Sequence, residues 1–356
     1  MGIEIEFIPV GDNTKNGDAI VVRYGEEGNY KVMVVDGGTK DSGNKIVQHI
    51  QEYYDTDYVD YVVNTHPDSD HVSGLTTVIE ELEVGELWMH IPWEHSSKIK
   101  DLFHDGRITD NSLSEKIKAS LNKAHQLYEI ACEKEIPIYE PFEGALIGEF
   151  QVLSPLEDWY VNYLLPDFPS MPERKEESTL RKAFSEAYSK ILEWIEETWD
   201  KETLSENYGS TGSRNESSVV LYGNINGYRV LLTGDAGKQA LHNSADYATN
   251  LGIDLRDCRF VQIPHHGSRR NVSPSVLDRI IGEKVEKDTS TTTNTFVSVS
   301  KETEEHPKKV VTNAFIRRGA KVCETRGSTI RHHKDMPART GWTAITPLSF
   351  SSEVEK

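Results

Sequence analysis

The sequence predicts an α/β protein in which short β-strands and helices follow one another along the chain. Short β-type runs recur between Gly, Asn and Pro residues, and stretches with helical spacing of apolar residues separate several of them. Polar residues cluster directly after some of these runs, and strand ends are where α/β folds build functional sites. The 356 residues are enough for one large core or two medium ones.

Residues 1–155 are predicted to form the first half of one domain. The β-type runs of this half are "IEIEFIPV", "AIVVRYG", "YKVMVVDGG", "VDYVVNT", "VGELWMHIP" and "FQVLSP". Helices are predicted over 43–54, from Gly74 onward and over 111–135. This half is therefore rich in strands, with helices placed between the later ones.

Residues 156–214 differ in composition and are predicted to be a mostly helical insertion. An aromatic and proline-rich loop opens the segment, and a polar, Gly/Ser-rich stretch closes it. Between them, one apolar helix face is predicted from Leu180, Phe184, Ala187, Ile191, Leu192, Ile195 and Trp199. The insertion is either a packing or dimer helix or a lid over a functional site. Strands resume in residues 215–356, the predicted second half of the domain.

Composition limits the partners and the compartment of the protein. The formal net charge of −19 argues against broad adhesion to nucleic acid or anionic membranes, although a local positive cleft is compatible with it. No apolar stretch is long enough to cross a bilayer, and the N-terminus resembles a strand rather than a signal peptide, so we expect a cytoplasmic protein. Cys132, Cys258 and Cys323 form no CxxC pair and are predicted to be buried free thiols.

Candidate metal ligands follow four predicted strands. The stretch "NTHPDSDHVSGL" places two histidines and two aspartates within six positions, and further acidic and imidazole side chains follow "KVMVV", "VLLTG" and "FVQIP". If these strand ends converge, the carboxylates would repel one another unless one or two divalent cations lie between them. Nitrogen and oxygen ligands without thiolate suit Zn²⁺, Mn²⁺ or Fe²⁺, which can activate water and stabilise a leaving oxygen.

These motifs, in this order, resemble the metallo-β-lactamase fold hydrolases, whose common signature is His-x-His-x-Asp-His. "THPDSDHVSG" has Asp68 where the second histidine usually stands, and this variant resembles the metallo-β-lactamase domain of ComEC-type DNA-uptake proteins, here as a stand-alone protein. "VVDGG", "NESSVVLYG…YRVLLTGDAG", "IPHHGSRRN" and "EEHP" match the remaining motifs, so that the resemblance covers 3–155 and 213–345. It implies an αββα sandwich, with two mixed β-sheets flanked by helices.

The resemblance also implies a ligand set for one or two divalent ions, of which Zn or Mn are favoured. The implied ligands are His66, Asp68, Asp70, His71, Asp235, His265 and His266. His66 and Asp68 would hold one ion, Asp70 and His71 the other, and Asp235 would bridge them. Most family members have a further histidine before the bridging aspartate. This sequence lacks it, so a single tightly bound ion with a weaker second one is the alternative.

Other site residues take roles that surround the metals. His266 is favoured as a direct ligand, while His265 either ligates the other ion or contacts substrate. The resemblance also implies that Asp70 orients the nucleophilic water, and we expect Asp36 to orient the metal ligands through hydrogen bonds rather than to bind metal itself. His306 either acts as a general acid facing the leaving group or caps a helix.

Candidate substrate contacts come from the segments next to these motifs. Arg269, with Ser268 beside it, follows the paired histidines and either binds a phosphate or is ordinary surface charge. Lys301 is a second candidate phosphate contact. Asn215 and Ser218 stand where the family's additional histidine is missing.

Three functional hypotheses follow from these residues. The favoured one is a metal-dependent hydrolase that uses a metal-bound hydroxide on a phosphodiester, as a phosphodiesterase or nuclease, with nucleic acid as one substrate class. The second is hydrolysis of a small ester, lactone or lactam by the same centre. The third is a component of a defence or toxin complex, and we expect any protein partner to be a second copy or a protein from the same operon. No membrane partner is expected.

Overall fold

The computed structural model describes residues 1–11, 16–175, 194–289 and 292–355. Two seven-stranded sheets pack face to face, and helices cover both outer faces. This is the αββα sandwich with mixed sheets that the sequence predicted. Within the described ranges, no helix has the length and apolar character needed to cross a bilayer.

Each half of the chain supplies most of one sheet. The first sheet contains, in spatial order, β15 (Ile330–Lys334), β1 (Gly2–Phe7), β2 (Ala19–Glu26), β3 (Asn29–Gly37), β4 (Tyr58–Val63), β5 (Glu83–Trp88) and β6 (Ile138–Tyr139). The second sheet contains β14 (Ala320–Glu324), β13 (Thr293–Val297), β12 (Phe260–Gln262), β11 (Tyr228–Leu232), β10 (Val220–Ile225), β8 (Phe150–Ser154) and β7 (Leu146–Ile147). A small antiparallel pair joins β16 (Glu353–Glu355) to β9 (Trp194–Glu196).

The parallel part of each sheet determines where the loops meet. Strands β3 to β6 run parallel in the first sheet, and β11 to β14 run parallel in the second. The carboxyl ends of these strands therefore lie along one edge of each sheet, where ligand sites form in α/β proteins. Phe7 of β1 packs edge-on against Phe296 of β13 between the sheets, with ring centroids 5.5 Å apart.

Helices bury an apolar face on the outside of each sheet. The helices of the described residues are α1 (Lys40–Tyr54), α2 (Ser69–Glu81), α3 (Ser96–Ile99), α4 (Asp110–Ser120), α5 (Asn122–Glu133), α6 (Glu157–Trp159), α7 (Ser213–Glu216), α8 (Lys238–Asn250), α9 (Pro274–Ile280) and α10 (Lys309–Arg317). Buried residues of α1, α2, α4 and α5 share a core with the first sheet, and those of α8 to α10 share one with the second.

Helix α2 begins earlier than the sequence predicted, at Ser69 instead of Gly74. The break in the motif is Pro67, which precedes the N-cap residue Asp68 and ends the extended segment after β4. Asp70 is therefore in the first turn of a helix, where the helix dipole favours a negative charge. The motif is a strand end joined directly to a helix start.

Three further predictions need correction or lie outside the described residues. Most of the predicted amphipathic helix, including Leu180, Phe184, Ala187, Ile191 and Leu192, lies outside the described residues. Its predicted last turn is not helical, because Ile195 lies in β9 and pairs with Val354 of β16. The predicted helix 111–135 is divided at Leu121 into α4 and α5. Cys132 is exposed rather than buried, whereas the other two free cysteines are buried as expected.

A glycine contact brings α2 close to the end of β3. A Cβ added to Gly74 would lie 1.9 Å from the carbonyl oxygen of Gly37 and 2.6 Å from that of Thr39. Real Cβ atoms do not approach backbone this closely, so only glycine permits the contact. The contact determines how near the first turn of α2 comes to Asp36 at the end of β3.

Replacing Gly74 by alanine should destabilise the protein by roughly 2 kcal/mol or more, because the helix must move away from β3. Gly106→Ala is the matched control, since a Cβ there meets no atom within 4 Å and the residue has an ordinary φ. Urea unfolding of both variants measures the difference in the free energy of unfolding. Equal stability of the two variants would contradict the close contact.

Candidate metal centre

The predicted ligands converge at the carboxyl ends of parallel strands from both sheets. Asp36 ends β3, His66 follows β4, and His71 lies in the first turn of α2. Asp235 follows β11, and His266 lies in a tight turn after β12. The two halves of the chain therefore contribute to one site, as the strand-end pattern predicted.

Asp235 lies between imidazoles from both halves. Its Oδ2 atom is 3.5 Å from His71 Nε2, 3.6 Å from His265 Nε2 and 3.8 Å from His66 Nε2. Its Oδ1 atom is 4.0 Å from His266 Nε2. Ligand atoms held at about 2.1 Å from one tetrahedral ion lie roughly 3.4 Å apart, so these separations fit atoms that share a cation.

Several of these atoms are buried without a hydrogen-bond partner among the residues that the structure describes. They are His66 Nε2, His71 Nε2 and Asp235 Oδ1. Leaving such groups unpaired in the interior is costly, and a divalent cation would satisfy all three. The donor set of neutral nitrogens and carboxylate oxygens therefore fits one or two divalent metals.

Asp36 orients the metal-facing atom of His71. Its Oδ2 atom accepts hydrogen bonds from His71 Nδ1 at 2.8 Å and from Thr65 Oγ1 at 2.6 Å, and its Oδ1 atom accepts one from Thr65 N at 2.8 Å. Donation by Nδ1 fixes the tautomer that leaves Nε2 free to bind a cation. This arrangement fits the orienting role that the family resemblance implies for Asp36.

The paired histidines separate into a deep and a shallow position. Both residues have positive φ angles, 46° for His265 and 55° for His266, in a turn rather than a strand. His266 is buried and donates from Nδ1 to the carbonyl oxygen of Ser298 at 3.0 Å, which leaves Nε2 facing Asp235. His265 is 30% exposed, and its Nδ1 atom lies 2.9 Å from Asn271 Oδ1. The structure thus makes His266 an inner group and His265 part of the cavity wall.

Burial controls the protonation of the inner groups. It lowers the pKa of His66 and holds the pKa of His266 well below its usual range, so both rings are neutral, as a metal ligand must be. Burial also lowers the pKa of His71, but Asp235 and Asp36 outweigh it and raise that pKa well above its usual range. A cation that binds His71 must therefore displace a proton.

Asp18 and Arg214 belong to the site but were missed by the sequence reasoning. Asp18 is buried beside His71 and Asp235, and its Oδ2 atom accepts a hydrogen bond from Gln262 Nε2 at 2.8 Å. Burial, reinforced by Asp235, raises the pKa of Asp18 to about 8. Asp18 precedes β2 instead of following a strand, so a search of strand ends does not find it.

A cavity of about 670 Å³ opens at the candidate centre. Its lining includes the predicted residues Asp68, Asp70, Asn215, Asp235, His265, Ser268, Arg269 and His306. Cationic side chains of Arg214, Arg270 and Lys308 line the same cavity. The structure therefore brings most of the predicted residues to one accessible site.

Two predicted substrate contacts lie elsewhere. Ser218 is fully buried behind the cavity, where its Oγ atom accepts a hydrogen bond from Asp235 N at 3.2 Å, so it positions the loop of Asp235. Lys301 is exposed and does not line the cavity, and its stem packs against Gly327. Being next to a motif in sequence thus does not bring either side chain into the cavity lining.

His306 reaches the cavity from the second half of the chain. Burial lowers its pKa to about 4, with His265 and Lys308 acting in the same direction, so the ring is neutral near pH 7. Its Nδ1 atom is buried without a partner in the described part of the chain. A neutral ring can donate or accept a hydrogen bond but carries no additional proton, which disfavours an imidazolium general acid.

Residues 13–115 match the family model described as the Metallo-beta-lactamase superfamily, which is consistent with this fold. Among similar solved structures, the metallo-β-lactamase fold protein YhfI from Bacillus subtilis is 7% identical over 94% of this chain and 100% of that chain, with a TM-score of 0.43. A diphosphatase from the PhnP family is 10% identical over 94% of this chain and 98% of that chain, with a TM-score of 0.39. Rubredoxin oxygen:oxidoreductase from Desulfovibrio gigas is 12% identical over 70% of this chain and 47% of that chain, with a TM-score of 0.30. No curated protein sequence matches the chain.

The match covers residues 13–115 and supports a metallo-β-lactamase fold for this part of the chain. Members of this superfamily generally are hydrolytic metalloenzymes that bind divalent cations, and the described residues contain His/Asp groups that could hold one. The similar structures have different activities and assign none to this chain.

Asp235→Asn should abolish stabilisation by metal, because Asp235 faces ligands from both halves of the site. In wild type, saturating Mn²⁺ or Zn²⁺ should raise the melting temperature, since a ligand that binds only the native state stabilises it. Asp246→Asn is the matched control, because Asp246 is an exposed aspartate that pairs with Arg279. A melting temperature of Asp235→Asn that rises as much as that of the control would exclude Asp235 as a ligand.

Asp36→Asn should weaken metal binding by about 10- to 100-fold without abolishing it, because the residue orients His71 rather than binding the ion. Competition with a chelating dye measures the affinity of both proteins. Affinity within about twofold of wild type would show that the hydrogen bond to His71 does not contribute.

Proposed function

We propose that the protein is a metal-dependent hydrolase of phosphodiesters, a phosphodiesterase or a nuclease resembling the ComEC-type domain. The observation that carries the proposal is the charge arrangement of the cavity. The cavity lining combines carboxylates and imidazoles of the candidate centre with cationic side chains, among them Arg269 and Lys308. A phosphodiester anion would be attracted both by a bound metal and by these cations, whereas a neutral lactone or lactam has no negative charge for them to stabilise.

The metal centre would be held by the inner groups already described, with Asp235 as the shared carboxylate. When bound there, one or two divalent cations supply an activated water molecule and stabilise negative charge on the reacting phosphate. Asp70, in the first turn of α2 and in the cavity lining, would accept a hydrogen bond from that water.

The polar and cationic side chains of the lining would bind the substrate. The guanidinium of Arg269 lies over the ring of Tyr208, 4.7 Å from its centroid, which restrains this side chain of the cavity lining. Ser268 and Asn215 add neutral hydrogen-bonding groups to the lining. His306, neutral near pH 7, would donate a hydrogen bond to a phosphate or leaving-group oxygen.

The dimensions and charge favour a small substrate or a chain end over a long duplex. A cavity of about 670 Å³ is within the range that holds one small ligand. The net charge of −19 opposes tracking along a polyanion outside the cavity. Cyclic nucleotides and short single strands are therefore the substrate classes to test first.

Wild-type protein with Mn²⁺ or Zn²⁺ should hydrolyse bis-p-nitrophenyl phosphate, and Asp70→Ala should lower the turnover at least about 100-fold through loss of water orientation. Asp41→Ala is the matched control, because Asp41 also lies in the first turn of a helix and is exposed. Release of p-nitrophenol measures both. No turnover by wild type with either metal, or equal turnover by Asp70→Ala, would refute the proposed activity.

A further inference from the structure

Arg214 is placed at the metal centre by the short helix α7. Ser213 Oγ donates to the carbonyl oxygen of Asp167 at 2.9 Å and anchors the start of this helix. The guanidinium of Arg214 then extends between two other elements. Its Nη1 atom donates to Asp68 Oδ1 at 3.1 Å, and its Nη2 atom lies 3.4 Å from Ser120 Oγ at the end of α4.

Asp68 connects this guanidinium to the inner ligands. While Oδ1 accepts from Arg214, Oδ2 lies 3.8 Å from His66 Nε2 on the other side of the carboxylate. One carboxylate therefore faces both the candidate metal position and the arginine. This geometry leaves an oxygen available to a cation without breaking the pair with Arg214.

The ion pair with Arg214 compensates for the negative charge that Asp68 adds to the centre. An aspartate in place of the family's usual histidine lowers the formal charge of the centre by one unit. A centre with less positive charge attracts an anionic substrate less, particularly in a cavity of low dielectric constant. The guanidinium restores this unit of positive charge, and arginine retains it at every physiological pH.

Arg214 also has hydrogen-bonding capacity that the protein does not use. Its Nε atom is buried with no acceptor within the described ranges, although the side chain is 22% exposed. The residue lines both the main cavity and an adjoining cavity of about 370 Å³, which Lys123 also lines. An anionic oxygen entering at this junction would accept from a second N–H of Nη1 or Nη2, because each of these atoms carries two N–H groups and has one contact, with Asp68 or with Ser120.

We propose that Arg214 offsets the charge of Asp68 and binds an anionic oxygen of the substrate, making it a specificity-determining residue for phosphate groups. The inference rests on the proposed phosphodiester substrate, and it extends that proposal to a residue outside the resembling motifs. Arg214 acts on the anion directly, rather than only by holding Asp68 in place.

The test measures binding of inorganic phosphate to the Mn²⁺-loaded full-length protein by calorimetry, together with the affinity for Mn²⁺ itself. Arg214→Met should weaken phosphate binding roughly tenfold or more, the effect of losing a charge-assisted contact, and leave Mn²⁺ affinity within about twofold. The phosphate affinity of Arg214→Lys should lie between those of wild type and Arg214→Met, because lysine keeps the charge and loses the planar fork. Arg229→Met is the matched control, since Arg229 pairs with Asp257 on the surface.

The same substitution in an Asp68→Asn protein distinguishes direct binding of the anion by Arg214 from positioning of Asp68 by Arg214. In Asp68→Asn, Arg214→Met should still weaken phosphate binding by a similar factor, because the contact with the anion does not pass through Asp68. Loss of the effect in this background, loss of Mn²⁺ binding by Arg214→Met, or unchanged phosphate binding would each overturn the inference. If phosphate binding depends on Arg214 but no phosphodiester is hydrolysed, the proposed function is refuted, whereas the inference that Arg214 binds an anion is supported.

Discussion

Asp235 is the group on which the rest of the site depends. It is a buried carboxylate from the second half of the chain, and burial alone would raise its pKa and favour the uncharged form. His265, His71 and His266 outweigh burial and hold the pKa well below its usual range. The charged carboxylate is therefore tolerated only because imidazoles from both halves face it. The site is therefore complete only when the two sheets are packed together.

The backbone around Asp235 is arranged to hold it at this point. Its N–H donates to Ser218 Oγ, and its carbonyl oxygen accepts from Asn271 Nδ2 at 2.8 Å. On the other side of the site, Asp36 and the glycine contact between β3 and α2 position His71. Polar groups behind the ligands thus define the geometry, which is why their effect should appear in metal affinity as well as in stability.

Sequence reasoning found the features that depend on local pattern. A strand end followed by candidate ligand side chains can be seen in the sequence, and the structure brings His66, His71 and Asp235 together. It failed where spatial neighbours are not neighbours in sequence. Asp18 enters the site ahead of its strand, and Arg214 reaches Asp68 from 146 residues away. The local periodicity of apolar residues carries no information on how close these two side chains come to the site or on where they point.

Two predicted substrate contacts lie outside the cavity lining because the chain changes direction next to a strand. Lys301 follows β13 closely, yet the turn directs it to the surface, and Ser218 lies immediately before β10 and is buried behind the site. The start of α2 was misplaced because Pro67 interrupts the apolar pattern, although a proline before an N-cap is compatible with a helix that starts immediately afterwards. Periodicity locates elements, whereas caps and turns decide where side chains point.

Local charge, rather than net charge, determines what the cavity attracts. The chain is strongly acidic overall, but surface charges act over a screening length of about 8 Å at physiological ionic strength. Within the cavity, Arg214, Arg269 and Lys308 share walls of low dielectric constant with the metal centre, where an approaching anion is screened less. For the phosphodiester hydrolase that we propose, the acidic exterior would oppose binding of long polyanions, whereas the cationic side chains of the cavity would favour a single phosphate group.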